Sequence, residues 1–383
     1  MHFFNFVNMD KIKYFFECLI PITACDIKCH YCYVVQRDNR KMKMADMKYS
    51  PEHIGKALSQ KRLGGIAYFS LCGAGETMMQ KELPELILAL LREGHYVNVT
   101  TNGTITKAFK RIAELIPSEL LKHIQFSFSL HLIELKRLGM VDKFFDNIRY
   151  VKSLGCSFLV QVNLCDEYEP LFEEIKQLCL ENVGALPQLA ATRDEENLSN
   201  DIRLFTKHSK EEYVKKGSEF NSPLFDFTMK NFMVKRHEYC YAGKWGGSLN
   251  MATGDFRPCY ASPIVLNLFK NIDKPLRFYS VGHHCRSPFC MNSSHFISFG
   301  TIPEYKAPTY YELRNRSVIG GGNWINEDMK NIMSQKLYDN HRRDTMYDII
   351  KSSCMHYVCL AGYRIRAIIP KSLKSKLKNV LHK

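Results

Sequence analysis

Cys25-Asp-Ile-Lys-Cys29-His-Tyr-Cys32 spaces three cysteines as C-x3-C-x2-C. The run before it, Lys13-Tyr-Phe-Phe-Glu-Cys-Leu-Ile-Pro-Ile-Thr-Ala24, is apolar and reads as a strand feeding a loop. Thiolates hold the irons of a 4Fe–4S cube, and four close it. Three leave one iron open to an outside ligand. With 14 cysteines in the chain, chance placement gives this spacing in roughly 2% of such sequences, so the spacing needs its context. Zinc is the other reading, although this C-x2-C lacks a second pair nearby.

Outward from the loop, strand-like and helix-like segments alternate from residue 13 to about 195. Strands read at 65–71, 96–100, 124–130, 157–164 and 186–191. Helices read at 81–93, 106–121 (interrupted by Pro117), 132–153 and 171–180. Repeated βα units imply a parallel sheet with helices outside. In such sheets the chemistry lies at the carboxyl ends of the strands, where the motifs of this chain fall.

The cysteine loop after a strand, Tyr31 before the third cysteine, and Cys72-Gly-Ala-Gly-Glu76 after the second strand together resemble the radical S-adenosylmethionine (radical SAM) enzymes. The resemblance covers residues 13 to about 300. It implies an α/β chain with a partial (β/α)6 barrel over 13–196. Cys25, Cys29 and Cys32 would hold a 4Fe–4S cluster whose open iron takes the amino and carboxylate groups of SAM. Tyr31 would lie against the adenine. Gly73 and Gly75 would let the backbone approach the ligand, and Glu76 would accept the SAM ammonium. Ala74 is inserted relative to the family's GGE motif. Ser129 is the candidate near the SAM carboxylate, Asn163 for the ribose hydroxyls and Arg193 for pairing with the carboxylate. Asn102, in Thr100-Thr-Asn-Gly-Thr104, reads as a turn residue. The implied activity is reductive cleavage of SAM to a 5′-deoxyadenosyl radical that abstracts a substrate hydrogen. A flavodoxin- or ferredoxin-type protein would supply the electron.

Residues 237–300 change character, with closely spaced Cys, His, Gly and Pro. Cys240 and Cys259 flank a stretch that Gly254 would turn into a hairpin. Cys285-Arg-Ser-Pro-Phe-Cys290 can add two thiolates. Four close a 4Fe–4S cube, and four also build a structural zinc site. The pattern resembles the twitch and SPASM domains that follow many radical SAM cores, which implies one auxiliary cluster and an oxidative outcome. Cys354 and Cys359 could replace Cys285 or Cys290, bind a partial third cluster, or be ordinary buried thiols, the last being favoured, and His283 and His284 read as loop residues. Residues 197–236 read as a linker, and 301–383 as an extension containing Gly320-Gly-Gly322.

The chain carries 53 basic and 39 acidic side chains over 383 residues, a net charge of +14. Such a charge suits an anionic surface, an acidic substrate or nucleic acid. No stacking motif or RNA module accompanies it, so nucleic acid has the weakest support. The N-terminus reads as neither a signal peptide nor a membrane span, which with the unpaired cysteine pattern places the chain in the cytoplasm. The tail, with Arg364, Arg366, Lys371, Lys374, Lys376, Lys378 and Lys383, reads as a basic amphipathic helix. It would lie on the inner membrane surface, or be solvated or docked on the protein. The expected substrate is a sugar or surface-polysaccharide precursor, small or carrier-linked, that is oxidised or epimerised. One rival is maturation of a ribosomally made peptide. Against it, only about 24 residues precede Cys25, which leaves no room for an N-terminal leader-binding domain. The non-enzymatic rival is a zinc-bound nucleic-acid adaptor.

Overall fold

The structure, a computed structural model, describes residues 10–195, 203–260, 262, 266–285, 287, 290 and 293–368, without the side chains of 293, 294, 363 and 366–368. The basic tail from Lys371 onward lies outside the described residues. Six strands, β1 (Ile12–Ile20), β2 (Ile66–Gly73), β3 (Tyr96–Thr101), β4 (Ile124–Ser129), β5 (Ser157–Leu164) and β6 (Gln188–Ala191), follow one another in one parallel sheet. Helices such as Leu83–Arg92 and Val141–Ser153 make the crossovers. This is the partial barrel that the sequence implied. β2 is almost wholly buried, as a parallel strand covered on both faces must be.

Alternation along the strands gives the two faces different work. Phe16, Phe69, Val97 and Phe126 are buried toward the outer helices. On the other face, Phe15, Tyr68 and Tyr96 form the lower layer of the lumen, packed against Phe296, Phe299, Tyr310 and Met329. The upper layer is polar. Register sets Glu17 beside Ser70, Ser70 beside Asn98, Thr100 beside Ser127, and Ser129 beside Gln161. The chain from 296 to 337 therefore plugs the lower lumen and leaves the carboxyl ends open.

Three expectations change. The helix expected over 132–153 is two, Leu132–Arg137 and Val141–Ser153. Gly139 at φ 63° breaks it, because a left-handed residue cannot continue a right-handed helix. The expected linker carries helices Lys210–Ser218 and Pro223–Asn231. Phe220 and Phe225 are buried there, and the Ser222 hydroxyl accepts from Leu189 N at 2.9 Å and donates to Gln188 Oε1 at 2.7 Å. Its polar composition had hidden these apolar anchors.

Thirdly, the 237–300 segment extends the main sheet. β7 (Arg193–Asp194) and β8 (Arg203–Leu204) form a separate ribbon, while β9 (Gly246–Asn250), β10 (Asp255–Arg257) and β11 (Leu266–Asn267) continue the sheet beyond β1. β9 runs parallel to β1, with Phe15 opposite Gly246. A Cβ on Gly246 would lie 1.9 Å from Phe15 O, so only glycine allows this approach. No helix of the described residues is long and apolar enough to cross a membrane.

Candidate functional site

A cavity of about 600 Å³ lies at the carboxyl ends of β1 to β4. Cys25, Cys29 and Cys32 line it with Gly73, Gly75, Glu76, Asn102, Ser129 and His131. The loop from β1 is fastened to the glycine turn after β2. Gly75 N donates to Ile22 O at 2.6 Å, and Glu76 N to Ala24 O at 2.8 Å. A Cβ on Gly75 would sit 2.1 Å from Ala24 O. What comes close to this glycine is the cysteine loop itself, while Gly73 and Gly75 also line the cavity.

The turn after β3 holds the same loop from the other side. Asn102 Nδ2 donates to Asp26 Oδ1 at 2.7 Å, and its Oδ1 accepts from Thr104 N at 3.1 Å. Thr104 Oγ1 also donates to Asp26. Asn102, read from sequence as a turn residue only, is thus a clamp on the loop that carries Cys25. Its signal was the adjacency of Asp26 to Cys25, legible only once β1 and β3 are placed in one sheet. Arg40 adds a donor to Cys25 O at 2.7 Å, and its buried Nε has no partner.

Glu76 is buried, and both its oxygens are engaged. Oε1 accepts from Thr101 Oγ1 at 2.6 Å and Met78 N at 2.9 Å, and Oε2 from Asn102 N at 2.7 Å. Burial raises its pKa to about 7 against these hydrogen bonds. Burial pushes Cys25 up to about 12 and Cys29 higher, and a bound metal favours the thiolate form. Three soft thiols facing one cavity beside an orphaned guanidinium nitrogen suit an electron-rich iron–sulfur cluster.

The other residues named from sequence lie farther out. Tyr31 is buried, with its hydroxyl 2.6 Å from His131 Nδ1 and 3.1 Å from Tyr168 Oη. His131 is held neutral, its pKa lowered to about 4 by burial. Asn163 and Arg193 line a neighbouring cleft of about 1570 Å³ rather than the cysteine cavity. Arg193 Nε is 3.3 Å from Glu195, which also pairs with Arg37. The two spaces share Cys32, Cys72, Thr100, Ser129 and His131. The cleft floor comes from residues the sequence left unassigned. Arg314 is buried and stacks over the Tyr310 ring at 3.7 Å, with His295 beside it. Only the docking of the chain from 293 to 314 brings these three to the lumen.

Cys240, Cys259, Cys285 and Cys290 line one separate cavity of about 930 Å³, with His284, His356 and Leu360. The β9–β10 hairpin returns Cys259 toward Cys240. A bridge pairs Cys240 with Gly282, with N–O distances of 3.2 and 2.8 Å, and so delivers Cys285. Burial and the neighbouring Cys259 and Cys285 thiols push Cys240 up to about 12. Four thiols around one cavity fit either a closed iron–sulfur cube or tetrahedral zinc. Cys354 and Cys359 are not among the lining residues.

Residues 19–179 match the family model described as the radical SAM superfamily. No curated protein matches the chain. Among solved structures, Streptococcus suis SuiB is similar at 15% identity and TM-score 0.44, over 70% of this chain and 66% of SuiB. AdoMet-bound anSMEcpe is similar at 13% identity and TM-score 0.44, over 92% of this chain and 99% of that one. An archaeal TYW1 matches at 16% identity and TM-score 0.29, over 40% of this chain and 49% of that one.

Proposed function

We propose that this chain, whose residues 19–179 match the radical SAM superfamily model, takes a hydrogen atom from a substrate held in the cleft beside the cysteine cavity. The observation that carries the reading is the convergence of Cys25, Cys29, Cys32 and Glu76 on a cavity that opens into that cleft. When bound, the cluster and SAM supply the electron transfer and the 5′-deoxyadenosyl radical. The chain supplies the rest. Asp26, Asn102 and Arg40 hold the cysteine loop. Glu76 offers carboxylate charge toward the SAM ammonium, and Ser129 faces both spaces. The aromatic lower layer closes the lumen to water from below.

The upper cleft offers uncharged hydrogen-bonding groups at Thr100, Ser129, Gln161 and Asn163. These suit the hydroxyls of a sugar, and the substrate we propose is a sugar or surface-polysaccharide precursor, oxidised or epimerised. A second reading is peptide maturation. The same amides suit a peptide backbone. SuiB has been solved bound to its precursor peptide SuiA. We assign the four-cysteine cavity to one auxiliary 4Fe–4S cluster able to accept an electron from a substrate radical, the reductant to a flavodoxin- or ferredoxin-type protein, and the enzyme to the cytoplasm.

Anaerobic reconstitution with dithionite tests the proposal. Iron–sulfur absorption near 400 nm and 5′-deoxyadenosine from SAM are the expected results, with about eight irons per chain for two cubes. A chain that binds zinc, lacks that absorption and leaves SAM intact is the adaptor instead. Deuterated sugar nucleotides and deuterated peptides, offered in parallel, identify the substrate class by which one passes deuterium into 5′-deoxyadenosine.

A further inference from the structure

Helix Met346–Ile368 carries a largely exposed apolar face, touched at its Tyr357 ring by the edge of His284 at 5.3 Å between centroids. Met346 and Tyr347 are 72% and 71% exposed, Ile350 58%, Tyr357 57%, Val358 65% and Ile365 59%. At 3.6 residues per turn these six positions fall within an arc of about 120°, along a helix about 34 Å long. The opposite face is the one docked on the protein. Ser352 is buried there, and His356 and Leu360 line the four-cysteine cavity. The Ser353 hydroxyl lies 2.9 Å from His284 Nε2. Scattered exposed apolar residues are ordinary on a soluble surface, but a continuous stripe of this length marks an interaction site.

Charge decides what covers it. Exposed Lys351 and Arg364 lie at the two edges of the stripe, and the Lys351 ammonium sits 5.7 Å from the Tyr347 ring. After Asp348 the sequence holds eight Lys or Arg and no Asp or Glu. A second copy would bring the same positive charge to the contact, and like charges at close range repel. An anionic lipid surface supplies the opposite sign along its whole area, and it accepts aliphatic and aromatic side chains below its headgroups. The helix is not apolar enough all round to span a bilayer, so it lies in the plane of one. We infer that the outer face of helix Met346–Ile368 docks this protein on an anionic membrane surface. The roof of the four-cysteine cavity is then the element that meets the lipid.

Vesicle flotation of the full chain tests this, using phosphatidylcholine alone and with about a third phosphatidylglycerol. The chain should float with the anionic vesicles and stay behind with the neutral ones. Raising salt should release it, since surface charge is screened. The double variant Ile350→Glu/Val358→Glu should bind at least about tenfold less, because it places two carboxylates on the apolar face. Unchanged far-UV circular dichroism would show that this variant still folds. For the case in which it does not, the single variant Lys351→Glu provides the second measurement, with a smaller loss expected. Failure of the wild-type chain to float, binding indifferent to salt, or full binding by the folded double variant overturns the inference. So does a dimer by light scattering that the double variant splits, because the face then belongs to a second copy.

Discussion

Replacing Gly75 by alanine tests whether the turn after β2 exists to hold the cysteine loop. The added Cβ would lie 2.1 Å from Ala24 O and 2.8 Å from Ala24 C. Ordinary carbon–oxygen contact needs about 3.2 Å or more, so turn and loop must part by about 1 Å. That separation stretches the two backbone hydrogen bonds from Gly75 N to Ile22 O and from Glu76 N to Ala24 O. Two such bonds contribute about 1–3 kcal/mol together, and the forced fit adds about 1–3 kcal/mol more. The expected loss is therefore about 2–6 kcal/mol, felt at the three cysteines first. The assay is iron uptake on anaerobic reconstitution, read by absorption near 400 nm, alongside the thermal midpoint. The variant should hold clearly less iron and melt several degrees lower. Ala74→Ser is the control, because position 74 already carries a Cβ. Wild-type iron content and melting in Gly75→Ala would refute the reasoning.

The other predictions concern charge, the clamp and the second cysteine set. His95 is fully buried between two backbone partners, its Nδ1 accepting from Ala67 N and its Nε2 2.8 Å from Leu58 O. Burial lowers its pKa to about 4. The unfolded chain takes up that proton first as pH falls below about 6.5, so stability declines between about pH 6.5 and 4, by about 2 kcal/mol on going from pH 7 to pH 5. Urea unfolding should show a shallower acid slope in His95→Gln, and an unchanged slope would place the effect elsewhere. Asn102→Ala should speed iron loss to a chelator, and Asn102→Asp should do so more, because a second carboxylate then faces Asp26. Equal retention by both variants would remove Asn102 from the clamp. Replacing Cys240, Cys259, Cys285 and Cys290 together by alanine should lower iron from about eight to about four per chain. SAM cleavage without substrate should persist, and an unchanged iron count would mean that the second cavity holds none.

Sequence alone determined the βα repeat, the parallel sheet and the three-cysteine loop, because each is written in local terms. Strand burial shows as apolar runs, helix ends as Pro117 and the glycine turns, and ligand chemistry as cysteine spacing. Glu76 was legible for the same reason. Its three hydrogen bonds were not, since their donors Met78, Thr101 and Asn102 are brought together only by the turns that end β2 and β3.

Tertiary structure decided the rest. The segment 197–236 read as linker although it holds anchors such as Phe220 and Phe225, because burial is not a property of composition. The 237–300 segment read as a separate module, yet Gly246 lets β9 pair with β1, more than 200 positions away in sequence. Arg314, Tyr310 and His295 reach the cleft floor only because the chain from 293 to 337 fills the lower lumen, and no local pattern encodes that docking. The same holds for the face of helix Met346–Ile368. Sequence placed the positive charge near the C-terminus, but the cavity side had to be occupied before the apolar side could be seen to be left over.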